Sequence, residues 1–179
     1  MRHILLIWPV SCEGSRALIK KIYGVSVEDV NRKDAGKLAA ELVENMRRED
    51  YDESLLFGID PLQNVRFSIE ASEVVYALMA GKTLLGVFGL GESSASVIWF
   101  LGTEAVKKHP KALVAIGYSF IEDMVKEHGY VVNYISLANR PAIRYIKGVR
   151  HVGLICETKE DGVGMYFKIR RETCAESQG

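Results

Sequence analysis

Cysteine is scarce, with three in 179 residues: Cys12, Cys156 and Cys174. An odd, sparse set without a C-x-x-C pair excludes a disulfide framework and a cysteine zinc site, and it suits a reducing compartment. An excess of one charge is also missing, since 23 Lys and Arg balance 23 Asp and Glu. That balance excludes a uniformly basic nucleic-acid binder or an acidic mimic, and the chain carries no clear nucleic-acid signal. No apolar run approaches the ~20 residues of a membrane span. The run from Ile4 to Val10 is short, broken by Pro9 and followed by Glu13 without a small-x-small cleavage site. It reads as a buried strand or an accessory segment rather than a signal peptide. There is no internal repeat, no low-complexity tract and no metal-ligand cluster.

What remains is ordinary globular composition, 48% hydrophobic and 26% charged. The length suits one domain, which buries roughly 70% of its unfolded surface. Residues 1–24 read as an N-terminal accessory segment, 25–171 as the domain and 172–179 as a tail. Residues 15–23 are expected to be helical, with Leu18, Ile19 and Ile22 at helical spacing. Val25 to Val30 alternates like a strand. Asn31 or Asp34 caps a helix whose stripe is Leu38, Ala39, Leu42 and Val43. Residues 45–57 continue as a polar helix or turn, Pro61 ends that stretch, and Leu62 to Ile69 starts another. Glu73 to Ala80 and Thr83 to Leu90 flank Gly81-Lys82 as a hairpin. Val97 to Leu101 is a third strand of this meander. A long helix over 110–127 carries Leu113, Val114, Ile116, Gly117, Phe120, Ile121, Met124 and Val125 on its apolar face, and Gly129 caps it. Tyr130 to Leu137 is a buried strand, Pro141 to Lys147 a short helix, and 154–158 with 165–170 a last hairpin. The order predicts an α/β (α+β) domain with a mixed, largely antiparallel sheet flanked by helices.

That order, together with Asn139-Arg140-Pro141-Ala142 opening the last helix, resembles the GNAT N-acetyltransferase superfamily over about residues 25–170. A narrower series resembles the internal virion protein A family of short-tailed phages, whose members are similar to acetyltransferases. It consists of Arg47-x-x-Asp50-x-x-Glu53, Trp99-Phe100-Leu101-Gly102-Thr103, Asn133, and Asn139-x-x-x-Ile143-Arg144-Tyr145-Ile146-Lys147. The first resemblance implies an acetyl-CoA cofactor. The second implies a phage or host protein partner and a place in the virion or the host bacterial cytoplasm.

The superfamily holds the acyl-CoA pyrophosphate on a glycine-rich loop at a helix N-terminus. Here that stretch is Lys107-Lys108-His109-Pro110-Lys111-Ala112, with no glycine, and Pro110 lacks an amide proton. Two readings stand for it: a solvated basic turn, which the residues favour, or a loose anion site made by Lys107, Lys108, Lys111 and the Ala112 amide. The superfamily also implies cofactor contacts at Asn139 and, on the same helix, Arg144. Its proton-donating Tyr falls here on Ile146. Tyr145 stands one residue early, about 100° around a helix, and the following glycine is displaced to Gly148. Tyr145 reads either as a proton donor or, with more weight, as an aromatic packed on the sheet. Glu73 and Glu92 are candidate bases, as are His109 and His151 by ordinary pKa alone. Arg47, Asp50 and Glu53 form a polar cluster or a surface helix face. Trp99 and Phe100 point to opposite faces, one to the core and one to a cleft.

Two functions follow. One is a non-catalytic phage protein, internal to the virion or acting in assembly, with a degenerate acyl-CoA site. The other is an active N-acetyltransferase acting on a host or phage amine. The neutral total conceals a polarised chain: residues 41–60 hold seven acids and two bases, whereas 140–150 hold Arg140, Arg144, Lys147 and Arg150 and no acid. Both basic clusters are expected beside the acyl-CoA cleft.

Overall fold

A computed structural model describes residues 21–91 and 95–172. The expected strand at 4–10, most of the expected helix at 15–23 and the candidate base Glu92 lie outside those residues. The elements in order are strands β1 (Lys21–Ile22) and β2 (Val25–Asp29), helices α1 (Ala35–Glu44), α2 (Arg48–Leu56) and α3 (Pro61–Glu70), strands β3 (Ser72–Ala80), β4 (Thr83–Gly91) and β5 (Val97–Gly102), helix α4 (Pro110–His128), strand β6 (Tyr130–Ser136), helix α5 (Arg140–Lys147), and strands β7 (Leu154–Glu160) and β8 (Gly164–Arg171). Lys21 and Ile22, placed in a helix by their spacing, instead pair with Ser26 and Val25. Gly24, at φ +78°, turns the chain between the two strands.

Side chains cap the starts of α3 and α5. Asn31 accepts the Lys33 amide ahead of α1, whose buried stripe is Ala35, Ala39 and Leu42. Pro61 does not merely end a stretch but opens α3 at its first position, behind Asp60, which accepts the Gln63 amide at 2.9 Å. The 19 residues of α4 bury Ala112, Ile116, Phe120, Ile121, Met124 and Val125. Gly129 stops it at φ +80°.

One eight-stranded sheet runs β1-β2-β3-β4-β5-β6-β8-β7. Every neighbouring pair is antiparallel except β5 and β6. Successive β3 side chains point to opposite faces. Val75 and Ala77 join the core under α1 and α3, while Tyr76 and Leu78 join the core under α4 and α5. Tyr76, Phe88 and Phe120 make a cluster of aromatic contacts in the second core.

Gly117, in the middle of α4, is a tight point. A Cβ there would sit 1.7 Å from the Tyr145 hydroxyl. Glycine to alanine normally stabilises a helix interior by about 1 kcal/mol. Here the sign is expected to reverse, with Gly117→Ala costing about 1–3 kcal/mol through overpacking. Adding Tyr145→Phe, which removes the obstructing oxygen, is expected to restore most of the loss. Urea unfolding of the single and double variants measures both; a stabilised Gly117→Ala would contradict this packing.

Candidate functional site

The parallel pair β5 and β6 is joined at one end and open at the other. Val97 is in register with Val132, and the Val132 amide donates to the Ser96 carbonyl at 2.9 Å. Asn133 Nδ2 adds a side-chain rung to the Ile98 carbonyl at 2.6 Å. Past this point no strand pairing is seen among the described residues, and the chains run on to Gly102 and Ser136 apart. A cavity of about 680 Å³ occupies the split. Its walls come from both faces of the sheet: Pro110, Leu113 and Gly117 of α4 and Ala142 of α5 on one side, and Phe57 and Ile59 of the α2–α3 connection and Phe67 of α3 on the other. Trp99 and Phe100 both line it, although their side chains pack against opposite cores.

Strands that separate leave amides and carbonyls without partners, and buried ones must find others. Helix α2 supplies them. Asp50 Oδ2 accepts the Gly102 amide at 2.8 Å, at the end of β5. Glu53 Oε1 accepts the Ser136 amide, at the end of β6. Arg47 grips Asp50 through Nε at 2.9 Å and Nη2 at 2.7 Å, its own amide donates to the Gly102 carbonyl at 2.8 Å, and its guanidinium lies over the Phe100 ring. Asn139 Nδ2 donates to Glu53 Oε2 at 2.9 Å and reaches Asp50 Oδ1 at 3.3 Å, while its Oδ1 accepts the Ala142 amide at the start of α5. Arg47, Asp50 and Asn139 are buried. The i, i+3, i+6 series is therefore an interior clamp and not a solvated helix face. Burial pushes the Asp50 carboxyl up, against the pull of Arg47, the Gly102 amide and Asn139. It pushes Glu53 up as well, against the Ser136 amide and Asn139.

The other candidates are dispersed. Lys107 is paired with Glu104 at 2.8 Å and Glu49 at 3.3 Å, so it closes α2 against the turn before α4. Lys108 and Lys111 are exposed at the start of α4, and Ala112 is buried there. The Leu113 amide already donates to the His109 carbonyl, and Pro110 has none to give, which leaves the Lys111 and Ala112 amides at the helix start. Arg144 and His151 face solvent. Glu73 is exposed on β3, outside the cavity lining, and its carbonyl accepts from Arg32. Tyr145 borders the cavity, but its hydroxyl donates to the Leu113 carbonyl at 3.3 Å, and burial drives its pKa far above the ordinary tyrosine range. Sequence reasoning passed over Phe57, Ile59, Phe67 and Tyr134. Their signal was apolar bulk at the end of an acidic helix and on the outer face of α3, away from its Val65 and Ile69 stripe.

The clamp makes two testable predictions. Asp50→Ala leaves Arg47 buried and unpaired and is expected to cost about 3–5 kcal/mol in denaturant unfolding, more than the paired replacement Arg47→Met with Asp50→Leu. The second concerns pH. A carboxyl whose folded pKa is raised binds its proton more tightly when folded, so its contribution is full below the unfolded value of about 4.3 and is lost as pH rises through the folded pKa. The stability of the protein relative to Glu53→Gln is therefore expected to fall as pH rises above about 4.3, as read by chemical denaturation at each pH; a difference that grows with pH would refute it.

No family model matches the chain, and no curated protein matches it. Solved structures do. An aminoglycoside acetyltransferase in complex with coenzyme A and kanamycin superposes at TM-score 0.55, with 16% identity over 87% of this chain and 99% of the other. A ribosomal-protein-S5-alanine acetyltransferase from Vibrio fischeri gives TM-score 0.58, with 11% identity over 86% of this chain and 96% of the other. A ribosomal L7/L12 alpha-N-protein acetyltransferase in complex with coenzyme A gives 0.55, with 9% identity over 84% and 95%. The chain has the fold of the GNAT acetyltransferases.

Proposed function

We propose that this protein binds an acyl-CoA-type ligand in the β5–β6 split without the tyrosine-assisted transfer that the superfamily resemblance implies, and that it serves as an internal virion or assembly-associated protein of a phage. The observation that carries the first part is the Tyr145 hydroxyl. It is bonded to the Leu113 carbonyl and faces Gly117, so it is committed to holding α5 on α4. A proton donor needs a free hydroxyl within reach of the leaving atom. The phage assignment rests on the motif series from Arg47 to Lys147. Its members Arg47, Asp50, Glu53, Gly102 and Asn139 meet in one clamp, which supports reading the series as a unit.

The cleft suits the arm of an acyl-CoA better than the turn suits its pyrophosphate. The split is open through the sheet, but the anion end has only the Lys111 and Ala112 amides and the ammonium groups of Lys108 and Lys111. These groups would hold the phosphates at the positive end of α4. When bound, the ligand supplies an activated thioester. A second reading, an active N-acetyltransferase, is favoured by one feature: the cavity has walls on both faces of the sheet, so donor and acceptor share one space.

Thermal shift with acetyl-CoA tests the ligand. Binding at 100 times Kd adds about 2.7 kcal/mol, and Lys111→Glu is expected to abolish the shift. No shift at millimolar acetyl-CoA would remove the ligand assignment. Transfer of labelled acetyl groups above the uncatalysed rate, unchanged in Tyr145→Phe, would select the second reading. Mass spectrometry of purified particles checks the virion assignment, and absence of the chain from them would exclude it as a packaged component.

A further inference from the structure

The half of the cleft facing α2 and α3 has a chemistry of its own. Phe57, Ile59, Phe67, Ala71, Trp99 and Tyr134 line it. Three of these lie at its rim unusually bare for their size, with Phe67 70% exposed, Ile59 43% and Phe57 37%. A cluster of exposed large apolar side chains marks a binding surface. The carboxylates and most other polar groups that line it are already occupied. Both carboxylates belong to the clamp. The Ser54 hydroxyl donates to the Asp50 carbonyl and accepts from Asn64. The Ser72 hydroxyl donates to the Ser68 carbonyl and accepts the Trp99 indole. The Tyr134 hydroxyl donates to Asp161, and its ring rests 5.5 Å from that of Phe57.

A cationic amine entering this half would be stripped of water and find no uncommitted carboxylate, which is a costly state. An apolar chain meets only favourable contacts. The cavity, about 680 Å³, is of the size that encloses whole small ligands, and it is continuous with the α4 side. We infer that the α2/α3 half takes an apolar acyl chain of medium length, threaded through the split between β5 and β6 from a head group held at α4. The head-group part rests on the acyl-CoA reading above; the chain part does not.

Calorimetric titration of the full chain with coenzyme A, acetyl-CoA, decanoyl-CoA and free decanoate separates them. Each methylene buried is worth about a fourfold gain in affinity, so decanoyl-CoA is expected to bind at least 100-fold more tightly than acetyl-CoA even with part of its chain left in water. Ser68→Trp fills the compartment from α3, and Ile59→Asp places a charge at its rim. Each is expected to cut decanoyl-CoA affinity at least tenfold and to leave acetyl-CoA affinity unchanged. Ile59 is well exposed, so its variant folds even where the Ser68 variant does not. Equal affinity for acetyl-CoA and decanoyl-CoA overturns the inference and leaves the acyl-CoA reading intact. So does a chain-length gain untouched by Ile59→Asp, which would put the chain elsewhere. Decanoate binding that Ile59→Asp weakens, with no binding of coenzyme A, supports the compartment and overturns the acyl-CoA reading.

Discussion

Two parallel strands that part halfway create a polar problem at their open ends, and the pair Asp50 and Glu53 answers it. One carboxylate takes the Gly102 amide of β5 and the other the Ser136 amide of β6. Buried carboxylates are costly unless their lone pairs are filled, and removing one partner of such a set is worse than never having built it. Here they are filled by a bidentate guanidinium, strand amides and the Asn139 amide group. Because both carboxylates lie on one helix, their spacing along α2 fixes how far β5 and β6 stand apart. Asn139 then passes that geometry on, since the same side chain caps α5. The cleft width, the seat of α2 and the start of α5 are thus one constraint.

The opposite wall is set by packing. Tyr118 and Tyr145 lie 5.0 Å apart, ring to ring. The Tyr118 hydroxyl donates to the Tyr145 carbonyl at 2.8 Å, and the Tyr145 hydroxyl to the Leu113 carbonyl. Two glycines make room: Gly117 under the Tyr145 hydroxyl, and Gly148, where a Cβ would lie 2.2 Å from the Tyr118 hydroxyl. The tyrosine one residue early and the glycine displaced toward it are the two departures of this segment from the superfamily pattern. They are one device. The Tyr145 hydroxyl is turned onto α4, and Gly148 leaves room for the Tyr118 hydroxyl. The segment bolts two helices together.

The meander, the long helix and the last hairpin were legible because period-2 and period-3.6 patterns record burial directly. Lys21 and Ile22 were not, since the apolar spacing of Leu18, Ile19 and Ile22 fits a helix whereas strand pairing is decided by Ser26 and Val25 across a turn. The R-x-x-D-x-x-E series was visible, but its burial was not. Charge at three-residue spacing looks the same whether a helix faces water or the end of a split sheet. Only the partners decide, and Gly102, Ser136 and Asn139 are more than 45 residues away in sequence. The apolar rim was missed for the converse reason. Phe57, Ile59 and Phe67 follow no single helical face, because they come from the end of α2, the connection and α3.

The charge balance acquires a physical meaning from the same contacts. Three of the seven acids in residues 41–60 are engaged by the fold, Asp50 and Glu53 on the strand ends and Glu49 on Lys107, while Glu41, Glu44, Asp52 and Asp60 are exposed. Lys107 in turn is drawn away from the start of α4, which leaves Lys108 and Lys111 as the cations there. Around α5, Arg140, Arg144, Lys147 and Arg150 all face solvent, and among the described residues none of them forms an ion pair with an acid. Four bases around α5 are thus left exposed on the surface. A chain neutral in sum therefore carries exposed bases around α5 and an apolar rim at Phe57, Ile59 and Phe67. In the acyl-CoA reading, the α5 bases would draw the anionic head group and the apolar rim would receive its tail.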